Sequence, residues 1–115
     1  MKDQRKHQRF VLDGTCIVQH ERKVGTVINV SMGGLYCKCF GKNKCHTDRS
    51  FYVNIYCRKH ELCAEDITLQ VLDSEVFPGL FAEDLGVRQC RAKFEQLEDL
   101  QRNELSNFIV RTSLP

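Results

Sequence analysis

Two segments in which apolar and polar side chains alternate constrain the fold of this chain more than any other feature. The apolar positions of residues 51–57 fall at every second residue, and so do those of residues 67–71. Because successive side chains of a strand point to opposite faces, this alternation indicates strands with one buried face. Shorter runs with a β-rich composition lie at 15–19, 24–30, 34–40 and 85–94. The chain is therefore expected to form about six short strands joined by glycine-containing turns.

The C-terminal region changes to the period of a helix. Its apolar stripe consists of Leu97, Leu100, Leu105, Phe108 and Ile109. Acidic residues near its start suit the positive end of the helix dipole. About six strands followed by one helix predict a mostly β fold, a six-stranded antiparallel barrel with a C-terminal α-helix, because barrel closure removes exposed sheet edges.

Length and composition indicate one domain. The chain has 115 residues, of which 42% are apolar and 28% are charged, which is typical of a single globular domain that can bury a core without disulfides or a structural metal. No apolar run approaches the roughly 18 residues of a membrane span. The first residues lack the pattern of a secretory signal. We therefore expect a cytoplasmic domain with no membrane partner.

Charge is distributed unevenly along the chain. Residues 1–60 hold 12 Lys and Arg against 4 Asp and Glu, whereas residues 61–115 hold 5 against 11. A basic half of a compact fold can attract a small anion or a nucleic acid although the formal net charge is only +2. Charge alone favours a solvated surface that has no partner.

Seven cysteines raise the question of a metal site. Their odd number and the absence of an export signal favour reduced thiols. Cys37 and Cys39 do not have the Cys-x2-Cys spacing of structural zinc sites, and with Leu35 they share one face of a predicted strand. We therefore predict no metal site. The polar stretches around positions 45 and 60 stay open to a redox or metal role.

Two short clusters carry the functional information. The first is the basic segment Arg-Lys-His-Gln-Arg at 5–9, and the second is Asn-Val-Ser-Met-Gly-Gly at 29–34. Each alone is explained by a solvated tail or a polar turn. Together, about 20 residues apart at the start of a small barrel, they resemble the two signatures of the PilZ family, Arg-x-x-x-Arg and Asp/Asn-x-Ser-x-x-Gly. The closing strand and helix also resemble the usual end of that domain.

PilZ domains are receptors for the bacterial second messenger cyclic di-GMP, so the resemblance implies a ligand-binding protein that is not an enzyme. Its ligand is cyclic di-GMP, with no other cofactor and no metal. The resemblance assigns ligand contacts to Arg5, Arg9, Asn29, Ser31 and Gly34. Lys6 and Gly33 are additional candidates.

The chemistry of these residue types agrees with that assignment. Arginine can donate two hydrogen bonds to a phosphate or to guanine O6 and N7, and its planar face can stack on a base. Asn29 offers an amide oxygen to a guanine N–H, and Ser31 offers a hydroxyl and a backbone amide. We expect glycine at 33 and 34 to permit positive φ and close approach of a base, so that a side chain at 34 would obstruct the ligand.

The resemblance also implies a division of the chain. Residues 1–9 form a flexible ligand-binding segment, 10–94 the barrel and 95–111 the closing helix. Because ordering a flexible segment costs conformational entropy, ligand binding and rearrangement of the N-terminus are linked. We expect this rearrangement to pass the signal to a downstream protein, which the sequence does not identify.

Other functions are weaker alternatives. A small basic barrel can bind single-stranded nucleic acid if aromatic side chains provide stacking platforms. The aromatic candidates are Phe10, Tyr36, Phe40, Tyr52 and Tyr56. Nucleic acid is disfavoured because several of them are needed for the core. A PilZ-like interaction module that binds no nucleotide is a further alternative. Catalysis is disfavoured because Ser31 does not lie in a Gly-x-Ser-x-Gly elbow.

Overall fold

A computed structural model describes residues 8–21, 23–40, 50–76 and 87–114 of the chain. The strands are β1 (Cys16–His20), β2 (Lys23–Val30), β3 (Gly34–Phe40), β4 (Ser50–Cys57), β5 (Leu62–Val76) and β6 (Val87–Phe94), and they are followed by helix α1 (Asp99–Thr112). No helix in these ranges is long and apolar enough to cross a bilayer.

The six strands form a closed barrel in the order β1-β2-β3-β6-β5-β4, and every neighbouring pair is antiparallel. Closure gives each of these six strands two hydrogen-bonded neighbours, so none of them leaves an exposed sheet edge. The predicted fold class, a six-stranded antiparallel barrel with a C-terminal helix, is confirmed.

The barrel interior is built from the predicted alternation. In β4, Val53, Ile55 and Cys57 are buried, whereas Tyr52 and Tyr56 face solvent. Cys16 lies directly opposite Cys57 across the β1–β4 pair. Burial, together with the neighbouring Cys57 thiol, raises the pKa of the Cys16 thiol to about 12, so this side chain is an uncharged core residue at neutral pH.

Helix α1 covers one part of the barrel with Leu105, Phe108 and Ile109, all of which are buried. Leu100, which belongs to the predicted apolar stripe, is instead 77% exposed. It lies about 140° around the helix axis from Leu105, so both side chains cannot face the barrel. The predicted stripe is therefore correct for its C-terminal part and wrong at position 100.

The predicted helix start at residue 95 is also wrong, because the helix begins at Asp99. The backbone N–H of Glu95 donates to Thr68 O at 2.9 Å, and Gln96 has a positive φ of 47°. The chain therefore still follows β5 and then turns before the helix begins. Glu98 and Gln101 form a capping box that satisfies backbone N–H groups of the first turn.

The segment before β1 is hydrogen-bonded at both ends. Phe10 exchanges two backbone hydrogen bonds with Val30, with N···O distances of 2.8 and 3.0 Å. On the other side, Leu114 N–H donates to Val11 O at 2.8 Å, and Asp13 N–H donates to the carbonyl oxygen of Thr112. Residues 10–13 thus connect the end of β2 with the C-terminal end of α1.

Candidate ligand-binding groove

A groove of about 370 Å³ lies on the barrel surface where the ends of several strands meet. Its lining comes from the segment before β1, from the β2–β3 turn, and from the facing parts of β5 and β6. The lining residues are Arg9, Asn29, Ser31, Gly33, Gly34, Leu35, Leu72, Asp73, Arg91, Ala92 and Lys93. This volume falls in the range of small-molecule sites.

The structure brings together both sequence clusters at this groove. Arg9 represents the first cluster, and Asn29, Ser31, Gly33 and Gly34 represent the second. The candidates at positions 5 and 6, Arg5 and Lys6, lie outside the described residues. Residues distant in sequence therefore converge on one surface, as a joint binding role requires.

Backbone pairing explains why Arg9 lies beside the turn. Phe10 and Val30 are partners in an antiparallel bridge. In such a pair, the residue before one partner lies opposite the residue after the other, so Arg9 is opposite Ser31 by register. Arg9 is exposed, whereas Ser31 is only 8% exposed. The pairing thus presents an exposed cationic side chain next to a turn whose serine is buried.

Ser31 organises that turn. Its hydroxyl oxygen accepts hydrogen bonds from the backbone N–H groups of Gly33 and Gly34, at 3.1 and 3.2 Å. Its own backbone N–H donates to Gly34 O at 2.8 Å. The sequence analysis predicts that the hydroxyl and the backbone N–H of Ser31 bind a ligand. In the structure both groups form hydrogen bonds within the turn. Ser31 therefore shapes the floor of the groove.

Glycine at position 34 is required by the packing of β3 against β6, which the sequence analysis did not predict. A Cβ atom at this position would lie 2.1 Å from Ala92 O and 3.0 Å from Lys93 Cα. The backbone of β6 therefore excludes any side chain there. The expected positive φ is not found at Gly33 or Gly34, since Gly14 is the glycine among the described residues that has one. Close strand packing, rather than backbone conformation, accounts for glycine at 34.

A β-bulge shapes the end of β2 beside the groove. The pairing of β2 with β3 shifts between Val27 and Asn29, which leaves one extra residue, Ile28, in β2. Bulges turn a strand locally and redirect its side chains. Asn29 pairs with Tyr36 after this shift and lines the groove.

Six lining residues were missed by the sequence analysis, and these are Leu35 on β3, Leu72 and Asp73 on β5, and Arg91, Ala92 and Lys93 on β6. Asp73 and Arg91 form an ion pair, while Lys93 Nζ lies 3.9 Å from Glu95 Oε1. No motif marks these positions. The sequence signal for this part of the groove is the alternation of Arg91 and Lys93 on one face of β6. It points to the residues of β5 only when the β5–β6 register is known.

The described lining residues carry a positive balance. Arg9, Arg91 and Lys93 are cations and Asp73 is the one anion among them, which gives a formal charge of +2. Cations gathered in a concave surface attract anions more strongly than the same cations dispersed. The groove is therefore suited to an anionic small molecule. In the described parts of the chain, no group of three or more His, Cys, Asp or Glu is arranged to hold a metal ion.

Four aromatic residues of the nucleic-acid alternative do not line this groove, namely Phe10, Tyr36, Tyr52 and Tyr56. Phe10 packs against the barrel core, whereas Tyr52 and Tyr56 are exposed on β4. Tyr36 donates a hydrogen bond to the side-chain oxygen of Gln89. Exposed tyrosines and the cationic groove therefore occupy separate parts of the described surface.

Comparisons with known proteins identify the architecture. No protein-family model matches the chain, and no curated protein matches it. The PilZ domain with c-di-GMP of YcgR from Escherichia coli matches with a TM-score of 0.71 and 9% identity, over 95% of this chain and 91% of that chain. This chain has a PilZ-like fold.

A second PilZ-like match is the K. pneumonia MrkH–c-di-GMP complex, with a TM-score of 0.69 and 15% identity over 95% of this chain. The match covers 52% of the MrkH chain, so this chain spans about half of that protein. The resemblance predicted from two short motifs is thus confirmed by two solved structures at the level of the fold.

Proposed function

We propose that this chain is a cyclic di-GMP receptor that binds its ligand in the groove and performs no catalysis. The observation that carries the proposal is the convergence of Arg9, Asn29, Ser31 and Gly34 on one groove of a PilZ-like barrel. The two similar structures described above contain c-di-GMP. Motif, fold and groove therefore support the same ligand, and we assign the motif position Arg5 to the same site, with Lys6 as an additional candidate.

Charge supports this ligand class. Cyclic di-GMP has two phosphates, each with one negative charge, and the described lining of the groove has a formal charge of +2. Opposite charges of equal size attract the ligand without leaving a large unbalanced charge in the complex. Arg9 can bind a phosphate or the O6 and N7 edge of guanine, and Asn29 can bind the opposite guanine edge.

We infer that the signal leaves the groove through the segment that carries Arg9. Phe10 is bonded to Val30 beside the groove, and Val11 is bonded to Leu114 beyond the end of α1. A shift of Arg9 toward a ligand would therefore displace the backbone of residues 10 and 11, which is hydrogen-bonded to Leu114 after α1. In this proposal residues 1–9 are the ligand-binding segment of a cytoplasmic protein, and a downstream protein reads the rearrangement.

Calorimetric titration with cyclic di-GMP tests the function. We expect saturable binding to the wild type, and we expect Arg9→Ala to lose about 1.5–3 kcal/mol of binding free energy, the scale of a charge-assisted hydrogen bond. GTP and a short single-stranded oligonucleotide are the control ligands. Binding of the oligonucleotide but not of cyclic di-GMP would favour the nucleic-acid alternative. A folded protein that binds neither ligand would favour the alternative of a PilZ-like interaction module that binds no nucleotide.

A further inference from the structure

An ion pair outside both sequence motifs lies in the groove. Arg91 of β6 and Asp73 of β5 are direct partners across the antiparallel pair. Arg91 Nε lies 3.0 Å from Asp73 Oδ2, and Arg91 Nη2 lies 2.5 Å from the same oxygen. The side chains are 54% and 37% exposed, so the pair borders the space that a ligand would occupy.

The backbone explains how the pair comes to border the groove. The register of β5 against β6 shifts between Val71 and Asp73, which makes Leu72 the extra residue of a bulge. Bulges redirect the side chains that follow them. Leu72 and Asp73 therefore both line the groove, although they are neighbours in a strand.

A guanidinium that bonds a carboxylate through two of its nitrogens has a defined orientation, because both groups are planar. An arginine has five N–H donors, more than one carboxylate uses. It can therefore bond a carboxylate and a phosphate at the same time. An arginine held in this way loses less side-chain entropy on binding a ligand than a solvated one does.

We propose that Arg91 is a further ligand-binding arginine, which contacts a phosphate of the bound cyclic dinucleotide, and that Asp73 is the positioning residue that orients it. This inference rests on the proposed function and adds a contact from the β5–β6 side of the groove. The ligand would then lie between an arginine on the N-terminal segment, Arg9, and one on the rigid barrel, Arg91.

Arg91→Gln tests the contact, and Arg58→Gln is the matched control. Arg58 is exposed after β4 and does not line the groove, so its substitution removes the same charge elsewhere. We expect Arg91→Gln to weaken cyclic di-GMP binding about tenfold or more, and Arg58→Gln to change it less than twofold. We also expect the affinity of Arg91→Gln to fall less steeply with salt than that of the wild type.

Arg91→Lys separates charge from orientation. Lysine keeps the positive charge but cannot bond two groups through a planar fork. We expect an affinity between those of the wild type and Arg91→Gln. Wild-type affinity and salt dependence in Arg91→Gln, in a sample whose thermal unfolding matches that of the wild type, would overturn the assignment of Arg91.

Asp73→Asn tests positioning by the sign of its effect. Removing this carboxylate makes the groove more positive, so charge alone predicts tighter binding of an anion. A positioning role predicts weaker binding, because Arg91 loses the carboxylate that orients it. We expect a loss of about threefold, which disappears when Asp73→Asn is made in the Arg91→Gln background. Tighter binding of the single variant, or an equal loss in both backgrounds, would overturn the positioning role.

The wild-type titration distinguishes failure of this inference from failure of the proposed function. If the wild type does not bind cyclic di-GMP, the proposed function fails and this inference fails with it. If the wild type binds and Arg91→Gln binds equally well, the receptor function stands and the role of Arg91 is wrong.

Discussion

The two sides of the groove are held by different kinds of interaction. On the turn side, residues 31–34, Ser31 is buried and its hydroxyl bonds to backbone N–H groups within three residues. The charged side comprises Arg9, Asp73, Arg91 and Lys93. These side chains are at least partly exposed, and their ion pairs are open to solvent. Buried short-range bonds contribute to the stability of the fold, whereas bonds between exposed charges contribute little to it.

This difference separates folding from binding. Substitutions on the turn side disturb strand pairing and are expected to lower stability before they affect a ligand. Substitutions on the charged side leave the core intact and are expected to change binding with little effect on stability. Variants that alter one property without the other therefore test whether the two sides have these separate roles.

Replacing Gly34 with alanine is expected to have the largest effect. The added Cβ would lie 2.1 Å from the carbonyl oxygen of Ala92, so β3 and β6 must move apart. We expect the free energy of unfolding to fall by about 3 kcal/mol, at the upper end of overpacking substitutions. Urea denaturation followed by circular dichroism measures this loss.

Gly25→Ala is the control for Gly34→Ala. Its added Cβ would meet the Cys39 sulfur at 3.0 Å, and a side chain can move more easily than a strand backbone. The loss at Gly25 should therefore be smaller. If Gly34→Ala were as stable as the wild type but bound no ligand, glycine at 34 would serve the ligand and not the fold.

Ser31→Ala should have an intermediate effect. It removes the acceptor for two backbone N–H groups of the turn, and a partly buried donor left without a partner costs about 1–2 kcal/mol. Thermal unfolding of Ser31→Ala and Arg9→Ala side by side measures the contrast between the two sides of the groove. We expect a lower melting temperature for Ser31→Ala and an unchanged one for Arg9→Ala. Equal melting temperatures for the two variants would contradict the separate roles of the turn side and the charged side.

The sequence predicted the barrel well because its alternation and turn residues act locally. It also predicted that Arg9 and Asn29 share a site with Ser31, through a motif resemblance whose common groove the structure supports. The pair Asp73–Arg91 was missed because it depends on the β5–β6 register and on a bulge. The positive φ expected at Gly34 was wrong, and the packing that requires glycine there was missed for a similar cause, since the obstructing atoms belong to β6. Local patterns are readable from sequence, whereas long-range register is not.

The smallest expected effect concerns a charged cluster on the segment between Arg9 and β1. Asp13 accepts hydrogen bonds from Lys59 Nζ at 2.8 and 2.9 Å, and its Oδ2 lies 3.3 Å from His60 Nε2. The hydrogen bond from Lys59 is the main cause that holds the pKa of Asp13 below its ordinary value of 3.8. Although it belongs to the segment that carries Arg9, this cluster does not line the groove.

Asp13→Asn tests whether a charge outside the groove affects stability without affecting ligand binding. A carboxylate with a lowered folded-state pKa stabilises the fold above its ordinary pKa, and the stabilisation disappears as the pH falls through the lowered value. We therefore expect Asp13→Asn to be slightly less stable than the wild type at about pH 6, with the difference shrinking only below about pH 4. Thermal unfolding across this range measures it, with cyclic di-GMP affinity at neutral pH unchanged. A stability difference that is the same at every pH would show that Asp13 acts through packing rather than through its charge.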